Sequence, residues 1–249
     1  MFWRRWWLAS FENLAQLFKI KDGECMTFSL VARCAETGMF GVAVSSSSPC
    51  VAARCAYARA GVGAVASQNV TDPTLGTRGL DLMEMGASAS EAVSILRATG
   101  TFPEYRQVLA VDQHGATAIG SGDQILGTWA QANAKDVAAA GNLLANSDVP
   151  QAIVDAYLRS TGHIGDRLIA AMRAALAAGG EAGAVHSAGM RLVDKVSWPV
   201  ADLRVDWSED CPIEGLASVW EVYKPQLSDY VTRALNPEAA PSYGVPGDE

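Results

Sequence analysis

The sequence predicts an α+β fold in which antiparallel sheets lie between layers of helix. Three observations carry this. Residues 26–45 alternate with period two around Glu36-Thr37-Gly38, the pattern of a β-hairpin. Two helical stretches follow one another between about 75 and 98 with no strand between them. The whole order runs strands, helices, strands, helices, strands, helix, which is not the βαβ alternation of a parallel sheet.

Each element has a local cause. From Met26 onward, Thr27, Ser29, Val31 and Arg33 fall on one face and Phe28, Leu30 and Ala32 on the other. Residues 39–45 return as the second strand. Residues 49–60, rich in Ala and Arg, are expected to form a short helix or loop. Residues 62–68 form a third strand, and their Gly and Ala predict close backbone packing or the approach of a ligand. Residues 75–85 are a helix with Leu80, Leu82 and Met83 on its apolar side and Gly86 as its stop. Ser88-Ala89-Ser90-Glu91 is a capping box that opens a helix to about Ala98.

Residues 107–112 and 117–121 flank Gln113-His114-Gly115 as a second hairpin. Residues 137–144 are a strand of small side chains. Asp148-Val149-Pro150 opens a helix to Arg159, with Pro in its first turn. Residues 164–178 are a helix ended by Gly179-Gly180. Residues 185–194 and 203–205 read as strands. A last helical region starts at Pro212, is interrupted at Pro225 and runs to about Leu235.

Residues 1–20 place Trp3, Trp6, Trp7, Phe11, Leu14, Leu17 and Phe18 at helical spacing. Three of the seven tryptophans stand there. Arg4, Arg5, Lys19 and Lys21 outnumber Glu12, Asp22 and Glu24 by one, in a chain of net charge −8. Residues 1–25 are therefore an amphipathic N-terminal extension, either a propeptide or sequence upstream of the true start. Residues 26–235 form a single domain, and 236–249, with Pro237, Pro241 and Pro246, a loose tail.

Composition excludes several classes. At 49 % hydrophobic and 18 % charged residues the chain can bury a core. Its acidic balance argues against a nucleic-acid partner, which calls for clustered Lys and Arg. No apolar run approaches the roughly 18–20 residues of a membrane span. The five cysteines match no zinc spacing, and an odd count fits reduced, mostly buried thiols in the cytoplasm.

Familiar motifs mostly fail. Gly61-Val62-Gly63-Ala64-Val65-Ala66 imitates a dinucleotide fingerprint, but its glycines begin a strand rather than end one. His114, His163 and His186 stand apart, so neither a metal nor another cofactor is expected. His114 reads as a solvated turn residue. Ser45-Ser46-Ser47-Ser48 is either a polar strand exit or the lining of a pocket. Thr27 is either an ordinary β-branched strand residue or a nucleophile. As a chain terminus it would carry both a hydroxyl and an α-amine of pKa about 8, a base that needs no histidine.

Thr27-Phe28-Ser29-Leu30-Val31-Ala32-Arg33 is followed by Glu36-Thr37-Gly38 and Gly41-Val42-Ala43-Val44. Further on stand Ala58-Arg59-Ala60-Gly61-Val62-Gly63-Ala64-Val65-Ala66-Ser67-Gln68, Gly76-Thr77-Arg78-Gly79-Leu80, Arg106-Gln107, Gly141-Asn142-Leu143-Leu144-Ala145 and Asp202-Leu203-Arg204-Val205-Asp206. In these stretches, over roughly 26–235, the chain resembles the family called domain of unknown function 1028. The resemblance implies membership of the N-terminal-nucleophile hydrolase-like superfamily. It also implies a four-layer αββα sandwich of two antiparallel sheets. It implies a fold more firmly than a reaction. One departure stands in the strand after Gly179-Gly180-Glu181, where a glutamine of the family pattern is replaced by His186.

The expected activity is hydrolysis of a small amide or related C–N bond in a small-molecule substrate. Thr27 Oγ would attack, its α-amine would take the proton, and Asn142 would stabilise the oxyanion. Ser29, Arg33, Ser45, Gln68 and Ser187 would line the substrate site, with Arg33 free to hold a carboxylate. The alternative is a non-catalytic binding or scaffold protein on the same fold. A homo-oligomer is expected from Ala-rich helical faces such as 168–178.

Overall fold

The computed structural model describes residues 27–246. The expectation of an amphipathic helix over 1–20 falls outside the described residues. Strands β1 (Thr27–Arg33) and β2 (Phe40–Ser46) form the first hairpin. Its turn closes through Cys34 N–H to Met39 O at 2.8 Å, with Gly38 at φ +78°. Then come α1 (Val51–Cys55), β3 (Ala56–Arg59), β4 (Gly63–Asn69), α2 (Thr74–Glu84) and α3 (Ala89–Thr99). The middle of the chain supplies β5 (Arg106–Asp112), β6 (Thr117–Ser121), β7 (Ala130–Ala134) and β8 (Val137–Asn142). Helices α4 (Val149–Arg159) and α5 (Ile164–Ala177) precede β9 (Ser187–Val193) and β10 (Ala201–Val205). The chain closes with α6 (Pro212–Tyr223) and α7 (Leu227–Leu235), joined by a 3₁₀ turn at Lys224–Gln226.

Among the described residues every strand pairing is antiparallel. The larger sheet has six strands in the order β10-β9-β2-β1-β8-β7, the smaller four in the order β3-β4-β5-β6. Three apolar layers hold the stack together. Phe28 and Leu30 point from the larger sheet into a core with Ile153, Tyr157, Leu168 and Trp220 of α4, α5 and α6. Val31, Val42 and Val44 point the other way and meet Ala64, Ala66, Leu109 and Val111 of the smaller sheet. Val65 and Val108 close the third layer against Leu80, Met83 and Leu96 of α2 and α3. The period-two alternation of β1 thus becomes two different cores on its two faces.

Two elements depart from expectation. Residues 49–60 hold a strand as well as a short helix, because Tyr57 and Ala58 pair with Val65 and Ala64 at a sheet edge. Residues 130–134 form β7, another edge strand, against β8. β3 has a single β former, Tyr57, among Ala and Arg, and β7 has only Ala, Gln and Asn, so the sheets' need for partners decided both. The capping box at Ser88 is present, with Glu91 N–H to Ser88 Oγ at 3.3 Å and Ser88 N–H to Glu91 Oε2 at 2.8 Å. His163 caps α5 through Nδ1, which accepts from Gly165 N–H at 3.1 Å. Cys34 and Cys55 are buried, while Cys50 and Cys211 are exposed. Beyond α7, Pro237–Ala239 forms a 3₁₀ turn, and the Arg233 guanidinium lies 3.8 Å from the centre of the Tyr243 ring.

Candidate active site

Strand register decides what stands beside Thr27. On one side Thr27 opposes Ser46 of β2, and on the other Asn142 of β8. Ser46 in turn opposes Ser187 of β9. Directly opposed residues of antiparallel strands share a face. Asn142, Thr27, Ser46 and Ser187 therefore form one polar row across four strands, at the head of β1. Ser29 continues the same face one step in, followed by the apolar Val31. The layer between the sheets is apolar in its middle and polar at this end.

The row is tightly held. Thr27 Oγ1 lies 3.2 Å from Ser46 Oγ. Ser46 Oγ donates to Ser48 Oγ at 3.1 Å and accepts from Ser48 N–H at 3.0 Å. Ser187 Oγ donates to Ser48 O at 2.6 Å and accepts from Val51 N–H at 3.3 Å. Behind the row a second chain of bonds joins the sheets. Ser29 Oγ donates to Gln68 Oε1 at 2.5 Å. Gln68 Nε2 donates to Gln107 Oε1 at 2.7 Å and to Ala140 O at 3.1 Å. Gln107 Nε2 then reaches Ser121 Oγ at 3.1 Å.

Asn142 is the exception. It is fully buried, yet neither Oδ1 nor Nδ2 has a hydrogen-bond partner among the described residues. A buried amide left in this state costs roughly 1–3 kcal/mol, so its place in the row is not explained by stability. The next residue, Leu143, is non-glycine at φ +50°, a conformation that costs of order 1 kcal/mol. It is pinned by Leu143 N–H to Leu126 O at 3.0 Å and by Ala182 N–H to Leu143 O at 3.0 Å. The end of β8, and with it Asn142, is rigidly placed.

A residue outside the expected set also belongs to this end. Glu181 is 95 % buried. Its Oε2 accepts from Ser47 N–H at 3.1 Å, while Oε1 has no partner among the described residues. Burial pushes the Glu181 carboxyl up to about 9, against the pull of its bonds from Ser47. It stands at the wall of a cavity of about 300 Å³, with Glu209, Asp210 and Cys211 on another wall. Nothing local marks Glu181, because an acid after Gly179-Gly180 reads as a solvated turn. Only the pairing of Leu144 with Glu181 turns it inward.

Other expected residues are not brought together. Arg33 lies at the far end of β1, six residues and about 20 Å from Thr27. Its Nη1 pairs with Asp136 Oδ1 at 3.1 Å, so it does not reach the row. Ser45 shares a face with Phe28 and points toward the helices, where its Oγ donates to Ser187 O at 3.0 Å. His186 is stacked on Trp207 at 4.4 Å between ring centres, with Nδ1 at 2.8 Å from Ser208 O. His114 is exposed in its turn. Among the described residues, no cluster of three His, Cys, Asp or Glu is placed to hold a metal ion, and no helix is long and apolar enough to cross a membrane.

Fold and site define an α+β protein with two antiparallel sheets and a buried polar row at one end of the layer between them. The chain belongs to DUF1028, a family of unknown function whose family model matches residues 27–216. It is similar to the crystal structure of protein SPO2555 from Silicibacter pomeroyi, a DUF1028 protein, with TM-score 0.75 and 27 % identity over 82 % of this chain and 93 % of that one. Anbu, the ancestral beta-subunit from Yersinia bercovieri, matches at TM-score 0.36 and 12 % identity over 82 % of this chain and 97 % of that one, a likeness too slight to bear on fold or function. No curated protein matches the chain.

Proposed function

We propose that the chain is an N-terminal-nucleophile-type amidohydrolase acting on a small amide or related C–N bond. Thr27 becomes its nucleophile when the bond before it is cut. The observation that carries this reading is the row at the head of β1, where Thr27 stands between Ser46 and an Asn142 amide that no described residue satisfies.

The reaction balances with these groups alone. Thr27 Oγ1 bonds to the carbonyl carbon, and its proton passes to the freed α-amine. The carbonyl oxygen, now an oxyanion, accepts from Asn142 Nδ2. The C–N bond breaks, and the leaving nitrogen takes the proton from the α-ammonium. Water then hydrolyses the Thr27 ester, its proton passing through the same amine. An amide donor aimed at the oxyanion contributes roughly 100- to 1,000-fold in rate. Ser29 and Gln68 hold the sheets in register behind the reacting atoms.

The test is chemical capture. The full chain is produced, its mass and N-terminus are determined, and it is treated with a β-lactone that acylates terminal threonine hydroxyls. Acylation of a chain beginning at Thr27, lost in Thr27→Ala, is the expected result. A chain that keeps residues 1–26 under all conditions and takes no acyl group overturns the reading in favour of a non-catalytic binding protein.

A further inference from the structure

Residues 180–182 cross the head of β1. They start from β8, where Ala145 N–H donates to Gly180 O at 3.1 Å and Ala182 N–H donates to Leu143 O at 3.0 Å. They reach β2, where Ser47 N–H donates to Glu181 Oε2 at 3.1 Å. Leu143 and Ser47 are each one residue beyond the partners of Thr27, namely Asn142 and Ser46. Glu181 thus bridges the two strands that flank β1, at the end toward which the Thr27 main-chain nitrogen is directed.

Resting on the reading above, we propose that Glu181 is the seat of the α-amino group that Thr27 acquires on cleavage, and that carboxyl and amine share one proton. A carboxyl with a buried, unpartnered oxygen calls for a donor, and a newly made amine at the head of β1 supplies one. Among the described residues, the groups facing Glu181 offer no other cation. The segment before α6 contributes Glu209, Asp210 and Cys211 across the cavity, and α5 contributes Leu176. His186, at the start of β9, is engaged by Trp207 and Ser208 O. The neighbouring ends of β2 and β8 present serines, Asn142 and Leu143.

Sharing the proton has a chemical consequence. Burial holds the carboxyl protonated near neutrality, and an α-amine ordinarily titrates near 8. An ammonium in contact with the carboxyl stabilises the carboxylate and draws its value down, so near neutrality the pair holds one proton, either as COO⁻ and NH₃⁺ or as COOH and NH₂. The second form leaves the amine free to accept the proton of Thr27 Oγ1. Glu181 is a positioning residue in this scheme, acting through the amine and not on the substrate.

The test uses four proteins: the full chain and a chain released from a ubiquitin-type fusion so that Thr27 is first, each with and without Glu181→Gln. Residues 27–246 carry both sheets and all three cores, so the released chain keeps the fold. The Thr27 amine is titrated by ¹⁵N NMR of threonine-labelled protein, and thermal midpoints are recorded. In the released chain, Glu181→Gln is expected to lower the amine's apparent pKa by about one pH unit or more and to lower the midpoint. In the full chain the same substitution leaves the midpoint unchanged or raises it. Glu181→Asp, which keeps the charge, restores part of the amine's titration. Equal effects of Glu181→Gln on both chains, with an unaltered amine titration, overturn the inference. Acyl capture at Thr27 separates the two claims. Capture without coupling removes the role of Glu181 alone, and coupling without capture removes the hydrolase reading alone.

Discussion

Ser29 of β1 and Gln68 of β4 meet across the space between the sheets, Ser29 Oγ donating to Gln68 Oε1 at 2.5 Å. Both are fully buried. Gln68 also donates to Gln107 Oε1 and to Ala140 O, so one amide ties β1, β4, β5 and β8 together. The polar end of the inter-sheet layer depends on it.

Gln68→Ala should therefore be among the costly substitutions in the protein. It strands the Ser29 hydroxyl and the Gln107 amide oxygen in a dry layer and removes one of the bonds to the Ala140 carbonyl. The expected loss is about 2–4 kcal/mol in urea unfolding. A loss under about 1 kcal/mol would show that water replaces the amide.

Asn142→Ala should behave in the opposite way. Both polar atoms of Asn142 lack partners among the described residues, so their removal strands nothing. Unfolding free energy should change much less than in Gln68→Ala. The rate of Thr27 acylation should fall about 100- to 1,000-fold if Asn142 is the oxyanion donor. Acylation at the wild-type rate would remove Asn142 from the mechanism.

Glu181 predicts a pH dependence in the uncleaved chain. Its folded value is raised to about 9 from an ordinary 4.5, so between these the folded state holds a proton that the unfolded state has lost. Stability from this group is full below about 4.5 and is lost as pH rises through about 9. The difference in thermal midpoint between wild type and Glu181→Gln should move against wild type as pH rises across that window. A difference independent of pH would contradict the burial of this carboxyl.

Arg33→Ala should cost about 1 kcal/mol or less, because its pair with Asp136 keeps partial contact with solvent, at 20 % and 15 % exposure. Acylation of Thr27 should be unaffected, since Arg33 lies at the other end of the strand. A loss of acylation without loss of stability would return Arg33 to the site.

Gly63→Ala tests the reading of β4 as a closely packed strand. A methyl group there would run into the Val111 carbonyl oxygen and come within 2.9 Å of the Met83 methyl. The first neighbour is backbone and cannot swing aside. A destabilisation of about 1–3 kcal/mol is expected on thermal or urea unfolding.

Much of this was legible in the residues themselves. The alternation of β1, the Gly38 turn, the Ser88 capping box and the Gly179-Gly180 stop are local devices, and each appears where its chemistry demands. The edge strands β3 and β7 were not legible, because Tyr57 is the one β former in β3, β7 has none, and both are strands through a neighbour's ladder.

By itself the sequence determined that Thr27 and Ser29 share one face of the opening strand and that Phe28 and Leu30 share the other. It offers Asn142 as the oxyanion donor to Thr27, but no local pattern sets the two side by side; that follows from the register of β8, more than a hundred residues away. It put Arg33 and Ser45 with Thr27 by pattern and proximity along the chain. The structure separates them, Arg33 by the length of a strand and Ser45 by the pleat. Only tertiary structure turned Glu181 from an acid after a glycine turn into a buried carboxyl over the head of β1. The reason is physical: side-chain alternation is set by backbone geometry within a few residues, whereas burial and charge at a site are set by strands that meet only when the chain has folded.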